Sequence, residues 1–106
     1  MIISVLVRRL REGKTYADFR AAWKPDKGFG VATRVVTGQG LEDPLEIVTI
    51  GFSDLEPDDI PAFLERVAPQ EQMRHERLEA VVEPEMTRSF YIQVADDDLT
   101  HGPPPD

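Results

Sequence analysis

The chain has 106 residues, of which 41% are hydrophobic and 30% charged, as expected for one folded domain. It contains no cysteine, which excludes disulfides, thiolate nucleophiles and cysteine-ligated zinc and suits a reducing, cytoplasmic compartment. Its net charge of −8 would repel phosphates, which disfavours nucleic acid and anionic membranes as partners. The first apolar run precedes the first arginines, the reverse of a secretory signal, and no stretch approaches the length of a membrane span.

The first part of the chain predicts a strand, a helix and a second strand. Residues 2–7 form an apolar, β-branched run that is too short for a buried helix. Thr15 and Asp18 have the spacing of a capping box, and Pro25 ends the helix that follows. Within that helix, three aromatic side chains recur on one face: Tyr16, Phe19 and Trp23. Residues 31–37 alternate and are β-branched, which predicts the second strand.

The second part predicts a hairpin partner, a broken helix and a fourth strand. Residues 46–52 are the expected third strand, paired with the second. Four apolar residues then repeat with helical period: Ile60, Phe63, Leu64 and Val67. Pro69 is expected to break this helix and to open a second segment that runs through Val81 and Val82 to a stop at Pro84. Residues 89–95 predict the last strand.

The order β-α-β-β-α-β predicts an α+β, ferredoxin-like domain over residues 1–95, followed by an acidic, proline-rich tail, 96–106. Crossover connections are right-handed, so both helices should lie on one face of a four-stranded antiparallel sheet. The first and third strands are nevertheless apolar on both sides, and we therefore expect a homodimer in which a second copy covers the open face. The alternative is a monomer whose open face is made more polar by four side chains: Ser4, Thr33, Thr49 and Tyr91.

The segment from Arg8 to Trp23, a strand end, a glycine turn and a helix with Phe19 and Trp23, resembles the opening of EthD-like domains. By order of elements and by length, the first 95 residues are similar to the dimeric α/β-barrel superfamily, which includes antibiotic-biosynthesis-monooxygenase-like and EthD-like domains. The resemblance implies a dimeric α/β barrel with a pocket between sheet and helices in each subunit. Residues 24–28 lack the histidine of many EthD-like domains, and the chain lacks the asparagine of haem-degrading members, so the resemblance implies no particular reaction.

His75 is the candidate catalytic residue. It shares a helical face with Leu78 and Val82, and Glu71 and Glu79 lie one turn before and after it, where either could fix its tautomer. A histidine so placed can act as a general base toward an acidic phenol or enol. The alternative is a structural histidine paired with a glutamate. The segment has no second histidine at zinc-protease spacing, and we expect no metal.

The candidate ligand pocket consists of four aromatic residues and one arginine: Tyr16, Phe19, Trp23, Tyr91 and Arg34. The helical aromatic face could stack a planar ligand, or it could be the core side of the helix. Arg34 interrupts Ala32 and Val36 on one face of a strand, so it needs a carboxylate of the dimer or an anionic ligand as its partner.

Together these residues predict a small-molecule-pocket protein. As an enzyme, it would carry out cofactor-independent, monooxygenase-like or isomerase-like chemistry on a small aromatic or polyketide-like ligand. Proton abstraction by His75 would start the reaction, and Arg34 would stabilise an oxyanion. The alternative is a non-catalytic ligand-binding or accessory dimerisation module.

Overall fold

Four strands and two helices follow one another in the order β-α-β-β-α-β in the computed structural model, which describes residues 1–105. The elements have these bounds: β1 Ile2–Leu10, α1 Tyr16–Trp23, β2 Thr33–Gln39, β3 Glu46–Ser53, α2 Ile60–Leu78 and β4 Val82–Ile92. A short 3₁₀ turn, Pro57–Asp59, leads into α2. The predicted α+β, ferredoxin-like class is confirmed.

The strands form one antiparallel sheet in the order β2-β3-β1-β4. Val5 of β1 lies opposite Ile50 of β3 and Ser89 of β4, and Val36 of β2 also lies opposite Ile50. Successive side chains of a strand point to opposite faces, so these four residues share one face of the sheet. The two helices pack on the other face, as their handedness requires.

The hydrophobic core occupies one end of this two-layer arrangement. It brings together Leu10 of β1, Ile47 of β3 and Leu78 of α2, with Phe19 and Trp23 of α1. α1 has eight residues and, at 1.5 Å per residue, spans only about 12 Å. It therefore covers one end of the sheet, and the other end faces α2 and the loop after α1.

α1 begins at the predicted capping box. The hydroxyl of Thr15 accepts from the backbone N–H of Asp18 (3.3 Å), whose carboxylate accepts from the backbone N–H of Thr15 (2.8 Å). These bonds hold the pKa of the Asp18 carboxyl below its usual 3.8. Their contribution to stability is present above pH 3.8 and is lost as the pH falls through the lower folded value. At the other end, Arg77 donates to the carbonyl oxygens of Ala22 (3.0 Å) and Lys24 (2.9 Å).

The prediction of a helix broken at Pro69 is wrong. α2 is continuous from Ile60 to Leu78, with Pro69 in its interior. Its buried side chains recur at helical spacing on both sides of the proline: Val67, Gln70, Arg74 and Leu78. Pro69 removes one intrahelical hydrogen bond, but packing of this continuous face holds the helix together.

The predicted bounds of the fourth strand also need correction. β4 begins at Val82, seven residues before the predicted 89–95, and the preceding helix ends at Leu78. Val81 and Val82 therefore belong to the turn and strand that complete the core. Pro84 lies within β4, where a residue without an amide hydrogen is tolerated because β4 is an edge strand paired only with β1.

The last residues contain no regular structure: 93–105 form neither helix nor strand. Beyond the end of β4, the backbone amide of Gln93 still donates a hydrogen bond to the carbonyl oxygen of Met1 (3.0 Å). The division into a domain 1–95 and a tail 96–106 stays a prediction, and Asp106 lies outside the described residues. Over 1–105, no helix has both the length and the hydropathy needed to span a bilayer.

Candidate functional site

A cavity of about 430 Å³ lies between the sheet and α2. Its floor carries mostly short side chains from the helix-facing side of three strands: Ser4, Leu6, Thr33, Thr49 and Gly51. α2 contributes Leu64 and Val67, and four aromatic rings add to the apolar part of the lining: Trp23, Phe29, Phe63 and Phe90. This volume and this mostly apolar lining with a few polar groups are typical of small-molecule sites.

The short side chains of the floor keep the cavity open. A Cβ at Gly51 would lie 2.6 Å from the hydroxyl oxygen of Ser4, closer than ordinary contact. Ser4, Thr33 and Thr49 were expected to make the open face of the sheet more polar, but they line the cavity on the helix-covered face instead. The open face is consequently more apolar than the sequence indicated.

Arg8 of β1 is a buried cation in the cavity wall. It is 7% exposed, and its Nη1 donates to the hydroxyl of Thr49 at 3.3 Å. Its Cζ lies 5.8 Å from the ring centroid of Phe19. Among the described residues, no carboxylate lies within 4.0 Å of its guanidinium. Burial, and next the charge of Arg74, lower the pKa of Arg8 to about 10.

Arg74 of α2 faces Arg8 from the helical side of the cavity. It is 7% exposed and donates through Nη2 to the carboxylate of Glu71. Its Cζ lies 5.2 Å from the ring centroid of Trp23 and 5.9 Å from that of Phe29. Within residues 1–105, Nη1 of Arg74 and Oε1 of Glu71 are both buried without a hydrogen-bond partner.

A third arginine, Arg88 of β4, lies at the exposed edge of the cavity. Its Cζ is 5.3 Å from the ring centroid of Phe90, which also lines the cavity. The charge of Arg88 contributes to lowering the pKa of Arg8, so the two cations are close enough to interact. Three guanidinium groups therefore surround a space in which Glu71 is the one carboxylate among the described lining residues.

His75 lies at the rim of the cavity, with a side chain that is 64% exposed. Its Nε2 is 3.7 Å from Oε1 of Glu79, so Glu79 is the glutamate that can orient it. Glu71, the other predicted partner, bonds to Arg74 instead. The histidine is accessible both to solvent and to a molecule in the cavity, and its catalytic role stays a prediction.

The predicted pocket residues lie in three different places: in the cavity, in or beside the core, and on the open face of the sheet. Trp23 lines the cavity together with His75, whereas Phe19 is buried beneath Arg8 in the core. Tyr16 is 39% exposed and packs its ring against Phe19, with centroids 6.3 Å apart.

Arg34 and Tyr91 lie on the open face of the sheet. Their strand partners, Phe52 and Ile3, belong to the set that points away from the helices. Both side chains are exposed and within a single chain they do not reach the cavity. Of the predicted site residues, Trp23 and His75 therefore line the cavity, whereas the arginines that line it were not among those predicted.

A signal for those arginines was present in the sequence. Arg8 follows Ser4 and Leu6 at the alternate positions of β1, so it shares their face. Arg74 precedes Leu78 by four residues and follows Val67 by seven, which places it on the buried face of α2. Pro69 obscures this second pattern, because a proline at that position predicts a separate helical segment after it.

The cavity offers no evident metal site, since no group of three potential ligand side chains gathers anywhere in residues 1–105. Its chemistry is that of guanidinium groups, hydroxyls, aromatic faces and a histidine at the rim. Such a set can bind an oxyanion, stack a planar molecule and exchange a proton.

No protein-family model and no curated protein matches the chain. Solved structures do match. Protein SO0527 from Shewanella oneidensis is 24% identical with a TM-score of 0.62, over 87% of this chain and 89% of that chain. A proposed antibiotic biosynthesis monooxygenase from Nitrosomonas europaea is 13% identical with a TM-score of 0.57, over 90% and 100%. Another structure named antibiotic biosynthesis monooxygenase is 10% identical with a TM-score of 0.59, over 90% and 100%.

At these sequence identities, the matches establish the fold that the chain shares with these structures, and they do not extend to its activity. The chain has the ferredoxin-like fold of the antibiotic-biosynthesis-monooxygenase-like structures, so the predicted resemblance is confirmed at the level of the fold.

Proposed function

We propose that this protein binds a small aromatic or polyketide-like molecule in the cavity between the sheet and α2. The observation that carries the proposal is the cavity itself: about 430 Å³, lined by aromatic and aliphatic side chains with a few polar groups. Short residues hold its floor open, and Gly51 permits nothing larger without displacing Ser4. The hydrophobic core adjoins this space, since Trp23 and Leu78 belong both to the core and to the lining.

As an enzyme, the protein would use His75 as a base. The imidazole would take a proton from an acidic phenol or enolisable ketone at the cavity mouth, leaving an oxyanion on the ligand. Return of the proton to another carbon completes an isomerase-like reaction. With dioxygen as a second substrate, the deprotonated CH2 carbon would instead form a bond to oxygen and lose its second hydrogen in a monooxygenase-like reaction. One oxygen atom then becomes a carbonyl oxygen and the other leaves as water, and the substrate supplies all four electrons. Neither route needs an organic cofactor. The names of two of the matching structures favour the second route.

The alternative is a non-catalytic ligand-binding or accessory dimerisation module. It is favoured by the exposure of His75, because an exposed imidazole is less constrained than most catalytic bases.

We further propose that the protein is a homodimer through the open face of the sheet. Seven apolar side chains from three strands point away from the helices: Ile3, Val5, Val7, Val36, Val48, Ile50 and Phe52. Arg34 adds one charged side chain to the β2 edge of this face. The other charged side chains of this face on β1 and β3, Arg9 and Glu46, lie opposite each other at the ends of the strands and leave its centre apolar. Such a patch is suited to a second copy of itself, and the resemblance to dimeric α/β barrels points to the same partner.

Binding in the cavity can be tested with a neutral probe, N-phenyl-1-naphthylamine. Trp23 is the only tryptophan of the chain and lines the cavity, so energy transfer from Trp23 to the bound probe reports occupancy. We expect saturable binding to the wild type and its loss in Ser4→Phe, where the new ring fills the floor.

The control is Ser89→Phe, the same change on the opposite face of the sheet, which should bind the probe as the wild type does. Absence of saturable binding to the wild type, or normal binding to Ser4→Phe, would contradict the proposal.

The variant His75→Gln distinguishes a catalytic function from a function in ligand binding alone. The probe substrate is 2-tetralone, an enolisable aromatic ketone whose α-hydrogen exchange in D₂O is followed by NMR, with oxygen uptake measured in parallel. If His75 is the base, the wild type accelerates exchange and His75→Gln does not, while both bind N-phenyl-1-naphthylamine equally. Exchange no faster than in buffer with either protein would leave the binding module as the function, and equal acceleration by both would exclude His75 as the base.

A further inference from the structure

We propose that the cavity recognises its ligand as an anion: an aromatic acid whose carboxylate lies between Arg8 and Arg74, with Arg88 at the mouth. This inference rests on the proposed function, since it names the class of molecule that occupies the same cavity. It assigns the recognition to residues other than Arg34, which lies on the open face of the sheet.

The first support is the charge of the site. Arg8, Arg74 and Arg88 line a cavity in which Glu71 is the single carboxylate among the described lining residues. The chain as a whole has a net charge of −8, so this excess of cations runs against its overall composition. Glu71 pairs with Arg74 and also favours the charge of Arg8, so one carboxylate serves three cations. Buried charge that is not compensated is costly, and a ligand carboxylate would supply a second negative charge.

The second support is the set of unused hydrogen-bond donors. Nη1 of Arg74 is buried and has no partner among residues 1–105, although Nη2 of the same group bonds to Glu71. Arg8, which is equally buried, has Thr49 as its side-chain partner through Nη1. A guanidinium carries five N–H donors, and buried donors are normally paired. The two planar groups suit a carboxylate, which accepts two parallel bonds from an arginine.

The third support is the way in which the cations are held. Arg74 lies over the rings of Trp23 and Phe29, and Arg8 lies over that of Phe19. These cation–π contacts help to hold the two guanidinium groups in place without providing hydrogen-bond acceptors for their N–H groups. The pKa of Arg8 is lowered to about 10 by burial and by the charge of Arg74, a repulsion that a bound anion would relieve.

The aromatic body of the ligand follows from the rest of the lining. Phe63, Leu64 and Val67 offer an apolar surface beside the cations. An inorganic anion would leave this surface bare, and a neutral aromatic molecule would leave the donors unpaired. A molecule with both parts satisfies the site.

The experiment compares 2-naphthoate with 2-naphthamide, which have the same ring and differ in charge, by isothermal titration calorimetry. We expect the wild type to bind the acid at least about tenfold more tightly than the amide, the effect of one charged hydrogen bond. Arg74→Gln should remove most of this preference, and Arg88→Gln part of it, with affinity for the amide unchanged.

Arg9→Gln is the matched control, because it loses the same charge from an exposed side chain next to Arg8 that pairs with Asp43. It should retain the full preference for the acid. Arg88 is exposed, so Arg88→Gln should fold even if Arg74→Gln does not.

These measurements distinguish failure of the anion inference from failure of the proposed function. If the wild type binds the acid no more tightly than the amide, or if Arg88→Gln and Arg9→Gln both bind the acid as the wild type does, the anion inference is overturned and the cavity stands. If the wild type binds neither compound nor N-phenyl-1-naphthylamine, the proposed function fails with it.

Discussion

Arg8 is buried in the cavity wall, so its charged guanidinium is largely removed from water. Because its folded-state pKa of about 10 lies below the ordinary value for an arginine, the charged side chain opposes folding at every pH below about 10. That opposition fades as the pH rises from there toward the ordinary pKa of an arginine, since the unfolded chain then binds more protons than the folded one. The difference corresponds to about 3 kcal/mol, offset in part by the contacts with Phe19 and Thr49.

Arg8→Met should therefore leave the free energy of unfolding at neutral pH unchanged or raise it by up to about 3 kcal/mol, because it removes a buried cation and keeps the volume. Urea denaturation measures this. Arg9→Met, at the exposed neighbour, should change stability by less than about 0.5 kcal/mol. A clear loss of stability in Arg8→Met would mean that Arg8 serves the fold more than the ligand.

For individual residues, the sequence predicted the type of residue in the site better than it predicted the position. It indicated that an arginine on a strand needs a carboxylate or an anionic ligand, but it selected Arg34 of the open face. The same reasoning applies to Arg8, whose inward direction depends on which face of β1 the helices cover. Alternation along a strand defines two faces, and only the packing of the helices shows which one is enclosed.

Among the elements, α1 was the most predictable because its start depends on local hydrogen bonds. The capping box of Thr15 and Asp18 forms as its spacing indicates. α2 was harder, since Pro69 is a strong local signal against a helix and the face that outweighs it packs against residues far away in the chain.

The start of β4 could not be found locally either. Val81 and Val82 suit the end of a helix as well as a strand, and Pro84 suits a helix stop as well as an edge strand. Pairing with β1, more than seventy residues away in sequence, decides between them: Leu10 lies opposite Val82.

For the whole molecule, the open face of the sheet sets the oligomeric state that we propose. Ile50 lies at its centre, between Val5 on β1 and Val36 on β2. Ile50→Lys should place a charge in the middle of the interface and convert a dimer into a monomer.

Size-exclusion chromatography with light scattering at micromolar concentration tests this. We expect the wild type at twice the chain mass of 12.0 kDa and Ile50→Lys at 12.0 kDa. Leu41→Lys makes a comparable change in a fully exposed turn and should remain dimeric. A monomeric wild type, or a dimeric Ile50→Lys, would contradict the proposed interface.

β1 serves both surfaces at once, with Ser4, Leu6 and Arg8 on the cavity and Ile3, Val5 and Val7 on the open face. A substitution at one of these six positions alters one surface and spares the other. Ligand preference and self-association can therefore diverge independently among descendants of this sequence. A single-codon deletion within the strand acts differently, because it exchanges the two sets of side chains beyond the lesion. Valines would then enter the cavity and the arginine would enter the partner-facing side, and both properties would disappear in one genetic event.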